Sequence, residues 1–240
     1  MCENICIYCL KDSSTTQSQE HVFPEALGSK ETLPKGYVCD NCNNYFSKMD
    51  KNVLYNRIIA FQVGTEGIPG KKGKRRTRIG QNLRFPNPGS RQFELTLGPV
   101  PITKETLEAD FRPKQDVEFD ELLFARGIRK IAFNCYALNF GQKKALQSRF
   151  DNLRRYIKTA KPNELWPYAA RGAQNNNDVV TFDFFENYEE ILKLRILTLD
   201  FVVSLMEWKT EIAFTLKGAG FIIVKLKGQW GASNLLGLQE

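Results

Sequence analysis

Two cysteine pairs constrain this chain before anything else does. Cys6-Ile-Tyr-Cys9 and Cys39-Asp-Asn-Cys42 each let two thiols leave one tight turn together. Four thiolates converging from two such turns make the soft, tetrahedral donor set that zinc takes in structural sites. A zinc held there would draw together the ends of the 29 residues between Cys9 and Cys39 and fix the shape of that insertion. The insertion carries His21, the only histidine in the chain, within Glu20-His21-Val22-Phe23-Pro24-Glu25-Ala26-Leu27-Gly28. The chemistry is expected there.

Composition leaves the class open but removes extremes. At 240 residues, with 42% hydrophobic and 25% charged side chains, the chain can bury a core without disulfides. No apolar run spans a bilayer, and Met1-Cys2-Glu3-Asn4 has neither the basic start nor the apolar stretch of a signal peptide. A reducing, cytoplasmic setting is the expectation, and in it paired CxxC motifs read as metal ligands. The formal charge of +7 favours a polyanionic partner.

The periodicities divide the chain into three segments and predict an α+β protein. Residues 1–58 form the knuckle module, with short extended pieces followed by a helix whose Phe46, Met49, Val53 and Leu54 recur at three- and four-residue steps. Residues 59–117 read as an irregular linker with a hairpin arm at Phe93–Leu97. Residues 118–240 begin with a long apolar helix ended by Gly141. A second helix follows, with Leu146, Phe150, Leu153 and Ile157 inward and Arg149, Arg154, Arg155 and Lys158 largely outward. Then come strands at Val179–Phe185, Lys193–Met206, Glu211–Leu216 and Gly220–Leu226, joined by short connections that favour antiparallel pairing. Between the modules, Lys71, Lys72, Lys74, Arg75, Arg76 and Arg78 place six cations in eight positions. Glycine-spaced cations of this kind suit a flexible arm that neutralises phosphates without reading sequence, and also an ordinary solvated loop.

Taken together, Cys6-x-x-Cys9, Glu20-His21-x-x-Pro24, Gly28 and Cys39-x-x-Cys42-Asn43 resemble the HNH endonuclease family, in particular its compact members with a paired CxxC zinc site. The resemblance covers residues 5–52. It implies a ββα-metal module around one divalent ion, with Cys6, Cys9, Cys39 and Cys42 on structural zinc. It further implies His21 as general base, and Glu20 and Asn43 as ligands of a catalytic ion. The chemistry is coherent with these residue types. A neutral imidazole can take a proton from an attacking water near neutral pH, and oxygen donors suit a hard cation such as Mg or Mn. The implied partner is nucleic acid, most simply double-stranded DNA. Similar small HNH proteins serve bacterial defence or mobile elements.

Three departures from the family pattern stand out. Glu20 replaces the usual Asp and Asn43 the frequent His. The middle Asn that orients the catalytic histidine through its backbone has no counterpart near Leu33–Lys35. Two rival readings therefore accompany the nuclease. One is a non-catalytic zinc-ribbon nucleic-acid binder, in which the missing middle Asn marks a dead site; Asn43, in place of binding metal, could cap the following helix. The other is an adaptor that docks a protein partner through its C-terminal sheet.

Overall fold

The computed structural model describes residues 4–70, 73–75, 78–79, 83–89, 94–95, 120–161, 164, 166–173, 179–186, 188–206 and 220–224. Within these, the extended pieces of the knuckle module shrink to single antiparallel bridges, Ile5 with Asp12 and His21 with Thr32. A one-turn 3-10 helix, Glu25–Leu27, sits between the arms of the second bridge. The helix α1 (Asp40–Tyr55) follows these bridges. A single extended residue, Asn56, breaks the chain between α1 and α2 (Arg57–Thr65), and its side chain accepts from the backbone N–H groups of Ile58 and Ile59. This second helix lies where the sequence suggested irregular chain. Asn56 is the start signal that periodicity alone did not supply.

A small antiparallel ribbon, β1 (Arg78–Ile79), β2 (Leu83–Arg84) and β3 (Glu94–Leu95), occupies the middle segment and includes the expected arm. The long helix α3 (Glu121–Phe140) is capped by Asp120, which accepts from Leu123 N–H at 2.9 Å, and ends at Gly141 with φ of 85°. The short α4 (Gln142–Ala145), a 3-10 turn (Ser148–Phe150) and α5 (Asp151–Thr159) follow. Arg154 of α5 is turned inward, against the expectation of an outward basic face: its Nε donates to the Ile7 carbonyl at 2.7 Å.

Five antiparallel strands complete the fold in the order β5-β6-β7-β4-β8. They are β4 (Tyr168–Gly172), β5 (Val180–Phe185), β6 (Tyr188–Ile196), β7 (Leu199–Ser204) and β8 (Ile222–Val224). The apolar stretch 193–206 is thus a hairpin, not one strand. It reverses at Leu197, whose φ of 57° is unusual for a side chain of that bulk and carries none of the Gly, Asn or Pro signals of a turn. The expected strand Glu211–Leu216 lies outside the described residues.

Helix α3 is the axis of the molecule. Every residue from Phe124 to Ala137 is buried. On one side Phe124 meets Phe201 of the sheet at 5.8 Å and Phe140 meets Phe184 at 4.8 Å. On the other, Gly127 lies against α1 so closely that a Cβ there would stand 2.7 Å from Val53 Cγ2. One continuous apolar cluster runs from Cys6 through α1 and α3 to Leu205, so packing crosses all the segment boundaries read from sequence. Among the described residues, no helix is long and apolar enough to cross a membrane.

Candidate metal centre and adjoining histidine site

The four knuckle sulfurs converge. Cys6, Cys9, Cys39 and Cys42 place their Sγ atoms within 4.8 Å of one another, with Cys9 and Cys39 at 3.6 Å. A tetrahedral zinc with Zn–S bonds of about 2.3 Å requires S···S edges of about 3.8 Å, so this donor set fits that ion. Local structure assembles it. Cys39 is the N-cap of α1 and Cys42 lies in its first turn, where free backbone N–H groups and the helix dipole favour thiolates. The Cys42 thiol hydrogen-bonds Cys6 and, against the opposing effect of burial, pulls the Cys6 thiol down to about 4, helped by backbone N–H groups of Cys39, Cys9 and Tyr8. Cys135, buried in α3, takes no part in the cluster, and its thiol is pushed well up by burial.

The C-terminal helices brace the knuckle. Gln142 Nε2 donates to the carbonyls of Ile5 and Gly36 at 2.7 and 3.2 Å, and Arg154 holds Ile7 as described. Gly36 has φ of +87°, and a Cβ there would stand 2.6 Å from Asn4 Oδ1, so this turn needs glycine.

Beside the knuckle, adjacent residues of the extended segment 20–21 face opposite ways, as strand geometry dictates. His21 points outward with 34% of its side chain exposed. Its Nδ1 is enclosed and meets no hydrogen-bonding partner among the described residues, while Nε2 lies 3.8 Å from Glu25 Oε2. That separation exceeds a direct hydrogen bond but leaves room for charge stabilisation. Glu20 points inward and is buried. Its Oε1 lies 2.5 Å from Lys130 Nζ and accepts from Asn134 Nδ2 at 3.2 Å. Lys130 also reaches Asp50 Oδ1 at 2.8 Å. Burial alone would depress the Lys130 ammonium, but Asp50 and Glu20 together outweigh it and hold that ammonium above the ordinary lysine range.

Asn43 does not cap α1. It lies beyond the Cys39 cap and donates through Nδ2 to Ser18 Oγ at 2.8 Å and to the Gln19 carbonyl at 3.3 Å. These bonds tie α1 to the residue preceding Glu20 and leave Oδ1, the atom able to bind a hard cation, outside them. The Ser18 hydroxyl and the N–H groups of Ser18 and Gln17 also bond Asp40 and hold its carboxyl below the ordinary range. Asn43 thus reaches the backbone one residue before Glu20, while Glu20 and His21 point to opposite sides of the strand, the Glu20 carboxylate onto an ammonium. Of the basic run, Lys74 and Arg75 are exposed, with Arg75 donating to the Pro88 carbonyl at 3.2 Å. Arg78 opens β1, and Lys71, Lys72 and Arg76 lie outside the described residues.

Lys130, Asn134 and Asp50 escaped the sequence reading. The available signal was that Lys130 and Asn134, like Arg126 and Arg129, are polar side chains set among the apolar residues of one long helix. The family model for HNH endonucleases matches residues 6–56. No curated protein and no solved structure matches the chain.

Proposed function

From the match of residues 6–56 to the family model for HNH endonucleases, we propose that the chain is a metal-dependent endonuclease acting on double-stranded DNA. The cysteines hold structural zinc. Glu20, through the carboxylate oxygen not engaged by Lys130 and Asn134, and Asn43, through Oδ1, hold Mg or Mn. That ion would stabilise the charge developing on the phosphoryl and leaving oxygens. Nε2 of His21, the ring nitrogen not enclosed by protein, takes the proton of the attacking water as the new P–O bond forms and the P–O bond to the leaving sugar oxygen breaks. Glu25, 3.8 Å away, stabilises the imidazolium so formed. The basic residues Lys71 to Arg78 contact the phosphate backbone. The observation that carries this reading is a lone, partly exposed histidine anchored beside a complete thiolate cluster.

The buried pairing of Glu20 with Lys130 favours one competing reading, a zinc-stabilised nucleic-acid binder that does not cleave. Nicking of supercoiled plasmid by full-length protein in Mg or Mn separates the two. His21→Ala is expected to lose about 100-fold or more in rate, the range for a general base, while keeping zinc and DNA affinity. Equal cleavage by that variant overturns the assignment, and binding without cleavage by the unmutated protein supports the binder.

A further inference from the structure

The backbone groups that close the bridge at His21 are paired, and the His21 carbonyl takes its partner from more than a hundred residues away. The Glu20 carbonyl accepts from Leu33 N–H at 2.8 Å, and Val22 N–H donates to the Glu31 carbonyl at 2.9 Å. These bonds close the bridge on one side of the strand. On its other side the His21 carbonyl accepts from Asn134 Nδ2 at 3.1 Å. Asn134 lies on α3, fully buried, and the same Nδ2 donates to Glu20 Oε1. Its Oδ1 accepts from the Tyr8 hydroxyl at 2.6 Å. The amide cannot be turned over, because Oδ1 would then face a carboxylate and a carbonyl, both acceptors. Lys130 and Gly127 lie one and two turns before Asn134 on the same stripe of α3, so the close approach to α1 at Gly127 is what brings the amide within reach.

We propose that Asn134 is a positioning residue for the nuclease site: it holds the His21 backbone and the Glu20 carboxylate in one register, so that α3 completes a site whose reacting groups all lie in residues 20–43. This inference rests on the nuclease reading for its catalytic consequence but not for its structural one. A buried amide that donates to both residues of the 20–21 pair fixes their relative placement, and a misplacement of about 1 Å in a reacting group costs about 100-fold in rate.

The test uses full-length protein and two readouts. Single-turnover nicking of plasmid DNA is compared for unmutated protein, Asn134→Ala, Asn134→Asp and His21→Ala, with Ile157→Val as a core substitution away from the 20–21 pair. The imidazole nitrogen signals of the lone histidine are recorded for each protein that retains it. Expected are a rate loss of about 100-fold in both Asn134 variants with DNA affinity unchanged, a displaced or broadened His21 imidazole signal, and neither effect in Ile157→Val. In the unmutated protein the Asn134 side-chain amide protons should resist exchange with water, a measurement that stands even where the variants do not fold. Rapid exchange of those protons, or Asn134 variants with normal rate and an unmoved imidazole signal, overturns the proposal. Full activity in His21→Ala overturns the nuclease reading instead and leaves the imidazole and exchange measurements to decide the role of Asn134.

Discussion

The cysteine cluster and the Glu20–His21 segment lie side by side and are built on opposite plans. The knuckle takes its donors from two turns of fixed spacing, and its four sulfurs meet within 4.8 Å. Chain connectivity does most of the work. The proposed histidine site would take its reacting groups from one extended segment and the first turns of α1, but the groups that hold Glu20 and His21, Lys130 and Asn134, come from α3. A locally encoded site can be read from a motif. A site completed by a distant helix depends on the whole fold, and its integrity reports on packing between segments.

Removing the cysteine set should have the largest effect. Structural zinc contributes about 10–16 kcal/mol of binding, more than the roughly 5–15 kcal/mol of net stability of a typical domain. Cys6→Ser, or prolonged treatment with a strong chelator, is expected to abolish zinc content and the cooperative thermal transition together. Retention of a sharp transition without metal would show that the knuckle is braced adequately by Gln142 and Arg154 alone.

Next in size is Lys130→Met, which strands the Glu20 carboxylate in the interior. Breaking a buried pair from one side costs about 3–5 kcal/mol, measurable by urea unfolding, and zinc content should not change. Adding Glu20→Gln to that variant should restore most of the loss, because the fully buried charge is then gone and Asp50, the other partner of Lys130, keeps some contact with solvent. If the single and double variants are equally unstable, the ion pair is not what joins α3 to the strand.

How much of this was legible follows the same division. The convergence of the cysteines at short spacing and the stop at Gly141 follow from local rules, and both appear in the structure, whereas α1 begins at Asp40, three residues before the helical pattern that the sequence shows from Asn43. The α+β arrangement appears as well, because alternation along β6 sets Leu192 and Leu194 against α3 and Lys193 and Arg195 on the other face. What stayed hidden needed tertiary information. Arg154 has the sequence neighbourhood of an outward cation, yet the Ile7 carbonyl and the carbonyl of Ala145 draw it inside. Asn134 is one amide in an apolar run, and nothing local says which buried acceptors it will meet.

A buried carboxylate within the sheet supplies a control for this contrast. Asp200 is held by Arg195 at 2.9 Å and Lys193 at 3.4 Å, both within seven residues of it in the chain. Burial would raise its carboxyl, but these cations outweigh that and hold it below the ordinary value of 3.8. A depressed folded value means the contribution is present above pH 3.8 and is lost as the pH falls through the folded value. Asp200→Asn should therefore cost about 1–3 kcal/mol at pH 7, with the difference from unmutated protein shrinking in acid below that point. The His21 imidazole signal and zinc content should not move. A shifted imidazole signal would mean that the site senses the sheet as well as α3.

The smallest change is the most informative, because Tyr8 belongs to both regions. It lies between Cys6 and Cys9, and its hydroxyl stands 2.6 Å from Asn134 Oδ1 and 3.1 Å from the Lys130 carbonyl. Its ring packs edge-on against Phe46 of α1 at 4.4 Å, so Tyr8→Phe keeps the packing and deletes only the oxygen. Losing one buried hydrogen bond costs about 1 kcal/mol, a modest drop in melting temperature with zinc retained. The amide of Asn134 then keeps its bonds to Glu20 and His21 but loses the contact that sets its orientation. If the two regions are coupled through this hydroxyl, the His21 imidazole signal should broaden while the zinc content stays whole. An imidazole signal unchanged in Tyr8→Phe would mean that α3 holds the strand without help from the knuckle, and that the two sites share a core but not a constraint.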